Sequence, residues 1–259
     1  MPRLQAKEEN RLERIGLQLY TVRDLMQTSV PATLEQVARV GYKEVEFAGY
    51  FGTPPGRLRR WLDDLGLSAP AAHVSLLDGD LSRLLDDAAE VGHRYLVQAS
   101  LPLLQRRSLD TFRRAAASLN RAGEQARTRG VAVAYHNHDF EFRPTGGIVP
   151  YDVLLAETDP ALVWMEVDVY WMAKANRDPL RYFAAHGRRF RLCHLKDIDE
   201  RGNITEVGQG RIDFSAILRQ RDQAGLRHFF VEHDHPKDPL DSIRTSYNQL
   251  QKLTAEVSQ

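Results

Sequence analysis

A run of histidines and carboxylates directly follows a short apolar segment in the middle of the chain. The apolar segment is 131–134, and Tyr135-His-Asn-His-Asp-Phe-Glu-Phe142 follows it. Side chains on a strand alternate between its two faces, so His136 and His138 point to the same face. Parallel strands present chemically active groups at their carboxyl ends in this way. The alternative is a polar surface loop that contains histidines by chance, and the other strands have to decide between the two.

Seven other apolar runs also contain or end in polar residues. They predict strands at 15–20, 44–47, 68–75, 95–99, 162–168, 190–196 and 228–232. The strand that begins at Val131 makes eight. Amphipathic stretches bounded by Gly or Pro lie between them and predict helices at 31–40, 55–65, 81–91, 109–129, 150–157, 179–186, 214–224 and 239–253. This alternation is typical of βα units.

The number of elements indicates the fold. Eight strands alternating with eight helices in 259 residues match a (β/α)8 TIM barrel, for which about 250 residues is typical. The main alternative is a doubly wound open sheet, which usually has fewer strands, and the first βα turn, 20–24, has no Gly-rich phosphate loop. We therefore predict the α/β class, with an N-terminal extension at 1–14 and one TIM barrel domain at 15–259.

Polar residues lie at or near the carboxyl end of every predicted strand. In a barrel those ends meet at one mouth, where the active sites of this fold lie. For any single residue, a solvated edge or a hydrogen-bonded core position is the simpler explanation. A full set is harder to explain by packing, because buried ionisable groups without partners are costly. The set is Gln18, Glu46, His73, Gln98, His136, His138, Asp168, His194, Lys196 and Glu232.

Four of these residues, on four successive strands, have the side chains of a metal site. His136, Asp168, His194 and Glu232 supply two imidazoles and two carboxylates. Such a mixed nitrogen and oxygen set suits Mn, Zn, Co or Fe better than a structural zinc with Cys ligands. Only a closed barrel would bring the four together. The alternative is a hydrogen-bonded polar plug at the barrel mouth, and we predict the metal site.

Composition excludes several classes of protein. With 35 basic and 35 acidic residues, the zero net charge argues against a broad nucleic-acid surface. The single cysteine, Cys193, excludes a disulfide framework and a Cys-rich zinc site. No run of about 18 apolar residues predicts a membrane span, and the charged stretch 1–14 lacks the apolar core of a signal peptide. We expect a cytoplasmic protein without nucleic-acid or membrane partners, although a trimmed precursor would look the same; homo-oligomer formation is left open.

Six motifs together carry a family resemblance. They resemble the sugar phosphate isomerase/epimerase group of the xylose isomerase-like TIM barrels, from Ile15 to about Leu250, and they are specific as an ordered set. The motifs are Gly16-Leu-Gln-Leu-Tyr-Thr-Val-Arg23, Tyr135-His-Asn-His-Asp-Phe-Glu-Phe142, Met165-Glu-Val-Asp-Val-Tyr-Trp171, His194-Leu-Lys-Asp197, Val207-Gly-Gln-Gly210 and Val231-Glu-His-Asp234.

The resemblance implies one divalent metal ion, with Mn ranked ahead of Zn, Co, Mg or Fe. In that superfamily a Glu, an Asp, a His and a Glu from strands five to eight hold the metal, and the last three fall on Asp168, His194 and Glu232. The fifth-strand position departs from the pattern, because His136 stands where many relatives have Glu. His138 and Glu141 are alternative ligands there. The departure puts a two-glutamate epimerase mechanism in doubt.

The resemblance further implies an isomerase or epimerase that acts on a keto-sugar, cyclitol or related polyol through an enediolate. The same proton abstraction would serve a lyase or dehydratase, or an enzyme that cleaves 3-keto-glycosides. The sequence has no evident Gly-rich phosphate cradle, so we expect an unphosphorylated, sugar-like small molecule. An endonuclease IV-like repair nuclease and a non-catalytic sugar-binding barrel rank lower.

Each residue near a strand end has an expected role. The expected catalytic residues are Glu232, His138, Lys196 and Glu46, and the expected metal ligands are His136, Asp168, His194 and Glu232. The expected substrate-binding residues are Gln18, His73, Asn137, Glu141 and Trp171. Tyr20, Phe47, Phe51 and Phe140 could join Trp171 in an apolar wall, although aromatics at such positions are as often plain packing.

Overall fold

The computed structural model describes residues 14–257, in which eight parallel strands close into a ring surrounded by helices. Each strand pairs with its neighbours in sequence, and the eighth closes the ring against the first through Gly16–Phe230 and Leu17–Val231. The predicted (β/α)8 barrel is confirmed. In chain order the strands are Gly16–Gln18, Glu44–Ala48, Ser68–Val74, Tyr95–Gln98, Ala132–His136, Val163–Asp168, Phe190–Leu195 and His228–Val231.

The helices lie outside the ring, and several begin and end where Pro and Gly predict. Pro55 and Pro150 stand in the first turns of their helices, and Gly66 and Gly92 follow helix ends with φ of 63° and 95°. The helices are Arg23–Thr28, Val30–Val40, Pro55–Leu65, Leu81–Val91, Leu109–Thr128, Pro150–Glu157, Val169–Lys174, Pro179–Ala185, Phe214–Arg219, Arg221–Ala224 and Pro239–Val257. Within the described chain, none of them has both the length and the apolar composition to cross a membrane.

Some predicted boundaries are wrong. The first strand ends at Gln18 because Leu19–Val22 turns into a 3-10 helix, so Tyr20 is not a strand residue. The predicted loop 202–211 contains Ile204–Thr205, which pairs antiparallel with Asp197–Ile198. The helix predicted at 214–224 is two helices, and Arg23–Thr28 and Val169–Lys174 are additional ones. The N-terminal extension predicted at 1–14 lies, apart from Arg14, outside the described residues.

The strands separate two apolar cores. The larger core fills the space between the ring and the helices. A smaller cluster lies inside the ring and consists of Ala71, Val97, Ala134, Leu192 and Phe230. Because alternate strand residues share a face, the next inward positions carry polar side chains: His73, His136, His194 and Glu232. The side chains inside the barrel therefore change from apolar in one layer to ionisable in the next layer toward the carboxyl ends of the strands.

Candidate metal centre and cavity

The four predicted metal ligands meet inside the barrel. His136 Nε2 lies 3.3 Å from Asp168 Oδ2, and His194 Nδ1 lies 2.9 Å from Glu232 Oε2 and 3.8 Å from Asp168 Oδ2. Their ligand atoms all lie within 4.8 Å of one another, and all four residues are buried. Atoms that ligate one metal at about 2.0–2.2 Å are separated by roughly 3–3.5 Å. The set is therefore able to hold a metal ion.

Contacts outside the set orient its members. The ring of His136 pairs through Nδ1 with the carbonyl of Ala99 at 3.0 Å, which leaves Nε2 toward Asp168. Asp168 ends the sixth strand and caps the following helix, because its Oδ1 accepts from the backbone N–H of Trp171 at 3.1 Å. Its Oδ2 is thereby left toward the other ligands. Outer partners of this kind fix the tautomer and orientation of metal ligands.

A second cluster lies on the other side of the His194 ring. His194 Nε2 lies 2.7 Å from Glu46 Oε2 and 3.3 Å from Glu166 Oε2, and His73 Nε2 lies 2.6 Å from the same Glu166 oxygen. These four residues are also arranged so that they could hold a metal ion. Glu166 was not among the predicted site residues. Its position two residues before Asp168, on the same face of the strand, was the available signal.

The charges of this inner cluster are unequal. Burial, followed by the neighbouring charge of Glu166, raises the pKa of Glu46 to about 7, although His73 and His194 act in the opposite direction. Burial also disfavours the charged form of Glu166, but His194 and His73 outweigh it and hold the pKa of Glu166 well below its usual value. The inner cluster therefore keeps Glu166 as the carboxylate, while Glu46 takes up a proton more readily.

Lys196 stands among three carboxylates beside the metal set. Its Nζ lies 2.7 Å from both Glu232 Oε2 and Asp234 Oδ1, and 3.1 Å from Asp168 Oδ2. Burial lowers the pKa of Lys196, but the three charges outweigh it and raise the pKa well above its usual value. Lys196 is thus an ammonium ion. Asp234, which was not predicted as a site residue, closes the motif Val231-Glu-His-Asp234.

A cavity of about 660 Å³ opens above the metal set. That volume lies within the range of about 300–1,000 Å³ typical of small-molecule sites. Six of the predicted site residues line it: His73, His136, His138, Trp171, Lys196 and Glu232. Other lining residues include Tyr20, Ser75, Gln98, Ser100 and Asp234. The cavity therefore gives a small molecule access to two of the four ligands.

His138 and Trp171 form one wall of this cavity. Their ring centroids are 5.3 Å apart, and the ring of Phe140 stacks on the other side of His138 at 5.6 Å. Burial, followed by the nearby ring of His136, lowers the pKa of His138 to about 2. The imidazole of His138 is therefore neutral at physiological pH.

Four predicted site residues do not face the cavity. Glu46 is fully buried against His194 and receives a hydrogen bond of 2.7 Å from Gln18 Nε2, while Gln18 Oε1 accepts from the backbone of Tyr20. The side chain of Asn137 bonds both backbone groups of Asp168. Glu141 accepts from Tyr135 Oη and from the backbone of His138. None of these four side chains lines the cavity, and the catalytic role expected for Glu46 and the substrate-binding roles expected for Gln18, Asn137 and Glu141 remain predictions.

The predicted aromatic wall is only partly present. Tyr20 and Trp171 line the cavity. Phe47 instead points outward from its strand and packs against Tyr50 and His93, because it alternates with Glu46. Phe51 packs against the outer core, and Phe140 lies behind His138 rather than at the cavity surface.

Comparisons with known proteins agree with this architecture. An inosose dehydratase of Lacticaseibacillus casei is 24% identical over 238 residues, which cover 76% of this chain and 79% of that protein. A solved sugar phosphate isomerase/epimerase from Parabacteroides distasonis ATCC 8503 matches over 100% of both chains at 25% identity, with a TM-score of 0.81. The structure of an L-ribulose 3-epimerase, at 16% identity and 95% coverage of each chain, shares the fold with a TM-score of 0.72.

A family model supports the same assignment over most of the sequence. The model described as xylose isomerase-like TIM barrel matches residues 34–253. This range contains seven of the eight strands and all four residues of the metal set. The resemblance seen in the six motifs is confirmed, and the chain belongs to the xylose isomerase-like TIM barrel family.

Proposed function

We propose that this chain is a divalent-metal-dependent enzyme that removes a proton next to the ketone of an unphosphorylated keto-cyclitol or keto-sugar. Loss of the β-hydroxyl as water then completes a dehydration. The observation that carries the proposal is the meeting of two imidazoles and two carboxylates, from His136, Asp168, His194 and Glu232, at the inner end of an open cavity.

The donor set suits the cofactor. Two nitrogen and two oxygen ligands suit Mn, Zn, Co or Fe, and the family resemblance leads us to place Mn²⁺ ahead of Zn, Co, Mg or Fe. When bound, the metal supplies polarisation of a ketone oxygen, which makes the neighbouring C–H more acidic. The structure also separates the ligands from bulk water, since Asp168 and His194 are fully buried and His136 and Glu232 are nearly so.

Glu232 is the proposed base. Burial alone would raise its pKa, but the charges of Lys196 and His194 hold the pKa of Glu232 well below its usual value. Its carboxylate is therefore ionised at neutral pH and lines the cavity, where a substrate C–H can reach it. The neutral His138 offers hydrogen bonds to a substrate hydroxyl, and Trp171 offers an apolar face to the ring.

Lys196 is the proposed proton donor to the leaving oxygen. As the C–H proton moves to Glu232, the β carbon–oxygen bond breaks, and a proton from the ammonium group converts the departing hydroxide to water. Lys196 Nζ lies 2.7 Å from Glu232 Oε2, so the proton on Glu232 can then return to Lys196. Both groups regain their starting charges in this cycle. An already charged lysine fits a donor better than a base.

The charges around the cavity favour an unphosphorylated substrate. Of the described residues that line the cavity, Lys196 is the one lysine or arginine, and three carboxylates surround it. A phosphate placed beside Lys196 would face the carboxylates of Glu232 and Asp234, and the ammonium group of Lys196 is already paired with them. Like charges at such distances repel strongly in a partly dehydrated site.

The side chain at the end of the fifth strand, His136, is the reason for placing dehydration ahead of isomerisation or epimerisation. Epimerisation needs a proton carrier on each face of one carbon, and His136 stands where a second carboxylate would be required. Burial lowers the pKa of His136 and its Nδ1 is engaged by Ala99, so it is a poor carrier. The likeness to inosose dehydratase supports this order. Isomerisation remains the second candidate, because the solved structures named above include an isomerase/epimerase and an epimerase.

The test is a substrate screen with the Mn-loaded protein. Keto-inositols, 3-keto-glucosides and ketohexoses are incubated in deuterium oxide, and the products are followed by mass spectrometry and NMR. We expect a product that has lost one water, together with deuterium next to a carbonyl. A product that has lost no water but carries deuterium at that carbon would indicate isomerisation instead. Failure to bind any divalent metal would contradict both candidates.

A further inference from the structure

The two ring nitrogens of His194 contact different carboxylate groups. Nδ1 points to Asp168 and Glu232 of the metal set, and Nε2 points to Glu46 and Glu166 below it. An imidazole that ligates a metal through one nitrogen keeps its single proton on the other, so the two nitrogens are not both free to ligate. The group that holds the proton decides which nitrogen is available.

We propose that Glu46 and Glu166 are positioning residues that hold the ring proton of His194 on Nε2 and so commit Nδ1 to the metal. This inference rests on the proposed function and extends it to two residues that no substrate touches. Both carboxylates are fully buried, and each directs Oε2 at the same ring nitrogen, at 2.7 Å and 3.3 Å. An ionised carboxylate accepts hydrogen bonds and donates none, so Glu166 stabilises the protonated Nε2. Glu46 Oε2 already accepts from Gln18 Nε2, so the same oxygen also faces Nε2 as an acceptor.

The surroundings hold the two carboxylates in place. Gln18 Nε2 donates to the same Glu46 oxygen at 2.7 Å, and it comes from the adjacent strand in direct register with Glu46. Glu166 is shared with His73, whose Nε2 lies 2.6 Å from it. Glu166 therefore connects a histidine that lines the cavity to a ligand of the metal set.

The shared imidazole also argues against two separate metal ions. The inner cluster and the metal set each need a nitrogen from His194. A metal on Nε2 would displace the proton that Glu46 and Glu166 hold, and two metals would require a fully deprotonated ring. The metal set has access to the cavity through His136 and Glu232, whereas only His73 of the inner cluster lines the cavity.

The test replaces the carboxylates by amides of the same shape and measures metal binding directly. In Glu46→Gln the new amide group can donate to Nε2, which favours the proton on Nδ1 and blocks the ligand atom. Loss of an outer partner typically weakens metal affinity about 10- to 100-fold. We expect about 10-fold weaker Co²⁺ binding in Glu46→Gln and about 100-fold in the double variant with Glu166→Gln, by competition with a chelator.

Two control variants distinguish the effect of the hydrogen bonds to His194 from the effects of a lost charge and of altered folding. Glu44→Gln makes the same change on the same strand at the opposite end of the barrel, where Glu44 pairs with His228 Nδ1 at 2.7 Å. Asp234→Asn removes one negative charge beside Lys196 without contact to His194. Glu44→Gln should leave Co²⁺ affinity unchanged, and Asp234→Asn should leave the visible absorption of bound Co²⁺ unchanged, whereas the double variant should alter that absorption.

The outcomes distinguish this inference from the proposed function. If the unaltered protein binds no Co²⁺, the proposed function fails. If it binds one Co²⁺ per chain and the double variant binds with the same affinity and absorption, the positioning role is wrong. Two Co²⁺ ions per chain would also overturn it, because the inner cluster would then be a ligand set itself. Thermal unfolding of each metal-free variant checks that the barrel is intact.

Discussion

Asp168 has two roles that one substitution can separate. Its Oδ1 caps the helix Val169–Lys174, and its Oδ2 faces the metal set. In Asp168→Asn the remaining oxygen can keep the cap, since Asn is an equally good N-cap residue. The amide nitrogen then replaces the charged ligand oxygen. We expect metal affinity and turnover to fall at least about 100-fold, measured by chelator competition and by steady-state kinetics, with an unchanged circular dichroism spectrum.

A matched control for that substitution is Asp213→Asn. Asp213 caps the helix Phe214–Arg219 through the backbone N–H of Ala216, at 2.9 Å, and belongs to neither histidine cluster. Its variant should keep full metal affinity and turnover. Retained turnover in Asp168→Asn itself would mean that the centre of the site has been misplaced.

Lys196 allows a prediction in which two measurements move differently. Lys196→Gln removes the proposed proton donor, so kcat should fall about 10²- to 10⁴-fold, as is typical for loss of a general acid. The same change frees Asp168 and Glu232 from an ammonium ion, so metal affinity should be equal or higher. Lys43→Gln, at the amino ends of the strands, is the control. A parallel fall in kcat and metal affinity would contradict the assignment of Lys196 as a donor.

At the scale of residues, sequence could predict side chains that continue the alternation of a strand better than side chains that leave it. Each member of the metal set, and Lys196, stands an even number of residues from an inward-facing strand position, and the strand ends converge. Asn137 is out of phase with His136, and Glu141 lies in the 3-10 helix Phe140–Phe142. Their side chains bond the backbone of Asp168 and of His138 instead.

At the scale of elements, one buried carboxylate organises the loop after the seventh strand. Asp197 is fully buried, and its two oxygens accept from four backbone N–H groups. The donors are Ile198, Gly208, Gly210 and Ile212, at 2.8–3.1 Å. This explains the motif Val207-Gly-Gln-Gly210, because a side chain on Gly210 would collide with Asp197 and with the carbonyl of Ile198.

Asp197→Asn should therefore loosen this loop. The amide keeps one oxygen acceptor and puts an N–H₂ donor against two N–H groups, which leaves buried donors without partners. An unsatisfied buried donor costs about 1–3 kcal/mol. We expect a loss of about 2 kcal/mol in the free energy of unfolding and faster proteolysis within 200–212, with Glu200→Gln as an exposed control in the same loop. Unchanged proteolysis would show that the ribbon Asp197–Ile198 and Ile204–Thr205 holds the loop without the carboxylate.

Elements with clear end signals were predictable, and elements without them were not. Pro55–Leu65 and Leu81–Val91 have the predicted bounds, because Gly66 and Gly92 permit the left-handed turn that ends each helix. The helix Val169–Lys174 was missed because its cap, Asp168, also ends a strand. No Gly or Pro marks the interruption near Gln220 in the predicted helix 214–224.

At the scale of the whole molecule, closure of the ring was predictable from the number of βα units, but the inner cluster was not. Gln18 and Glu46 come from adjacent strands, whereas Glu46 and His194 are 148 residues apart and meet across the barrel. Their contact depends on the tilt and stagger of all eight strands, which no single segment of sequence encodes.

His93 gives a prediction for the stability of the whole barrel. Its ring is 4% exposed, lies in contact with Phe47 and Tyr50, and pairs through Nδ1 with the carbonyl of Ala69 at 2.7 Å. Burial lowers the pKa of His93 to about 4, although the bond to Ala69 raises it slightly. An unfolded chain has an ordinary histidine pKa of about 6.5. Between these values the unfolded state binds a proton that the folded state refuses.

The stability that neutral His93 contributes is therefore present above pH 6.5 and is lost as the pH falls toward 4. The difference of about 2.5 pKa units corresponds to about 3 kcal/mol. His93→Asn keeps a donor for Ala69 but cannot take up the proton. The free energies of unfolding of the two proteins, measured in urea from pH 7 to pH 4, should converge by about 3 kcal/mol on acidification. A difference that stays constant across this range would mean that His93 is protonated in the folded barrel, and the ring would then need a carboxylate partner that its surroundings of Phe47, Tyr50 and Ala69 do not supply.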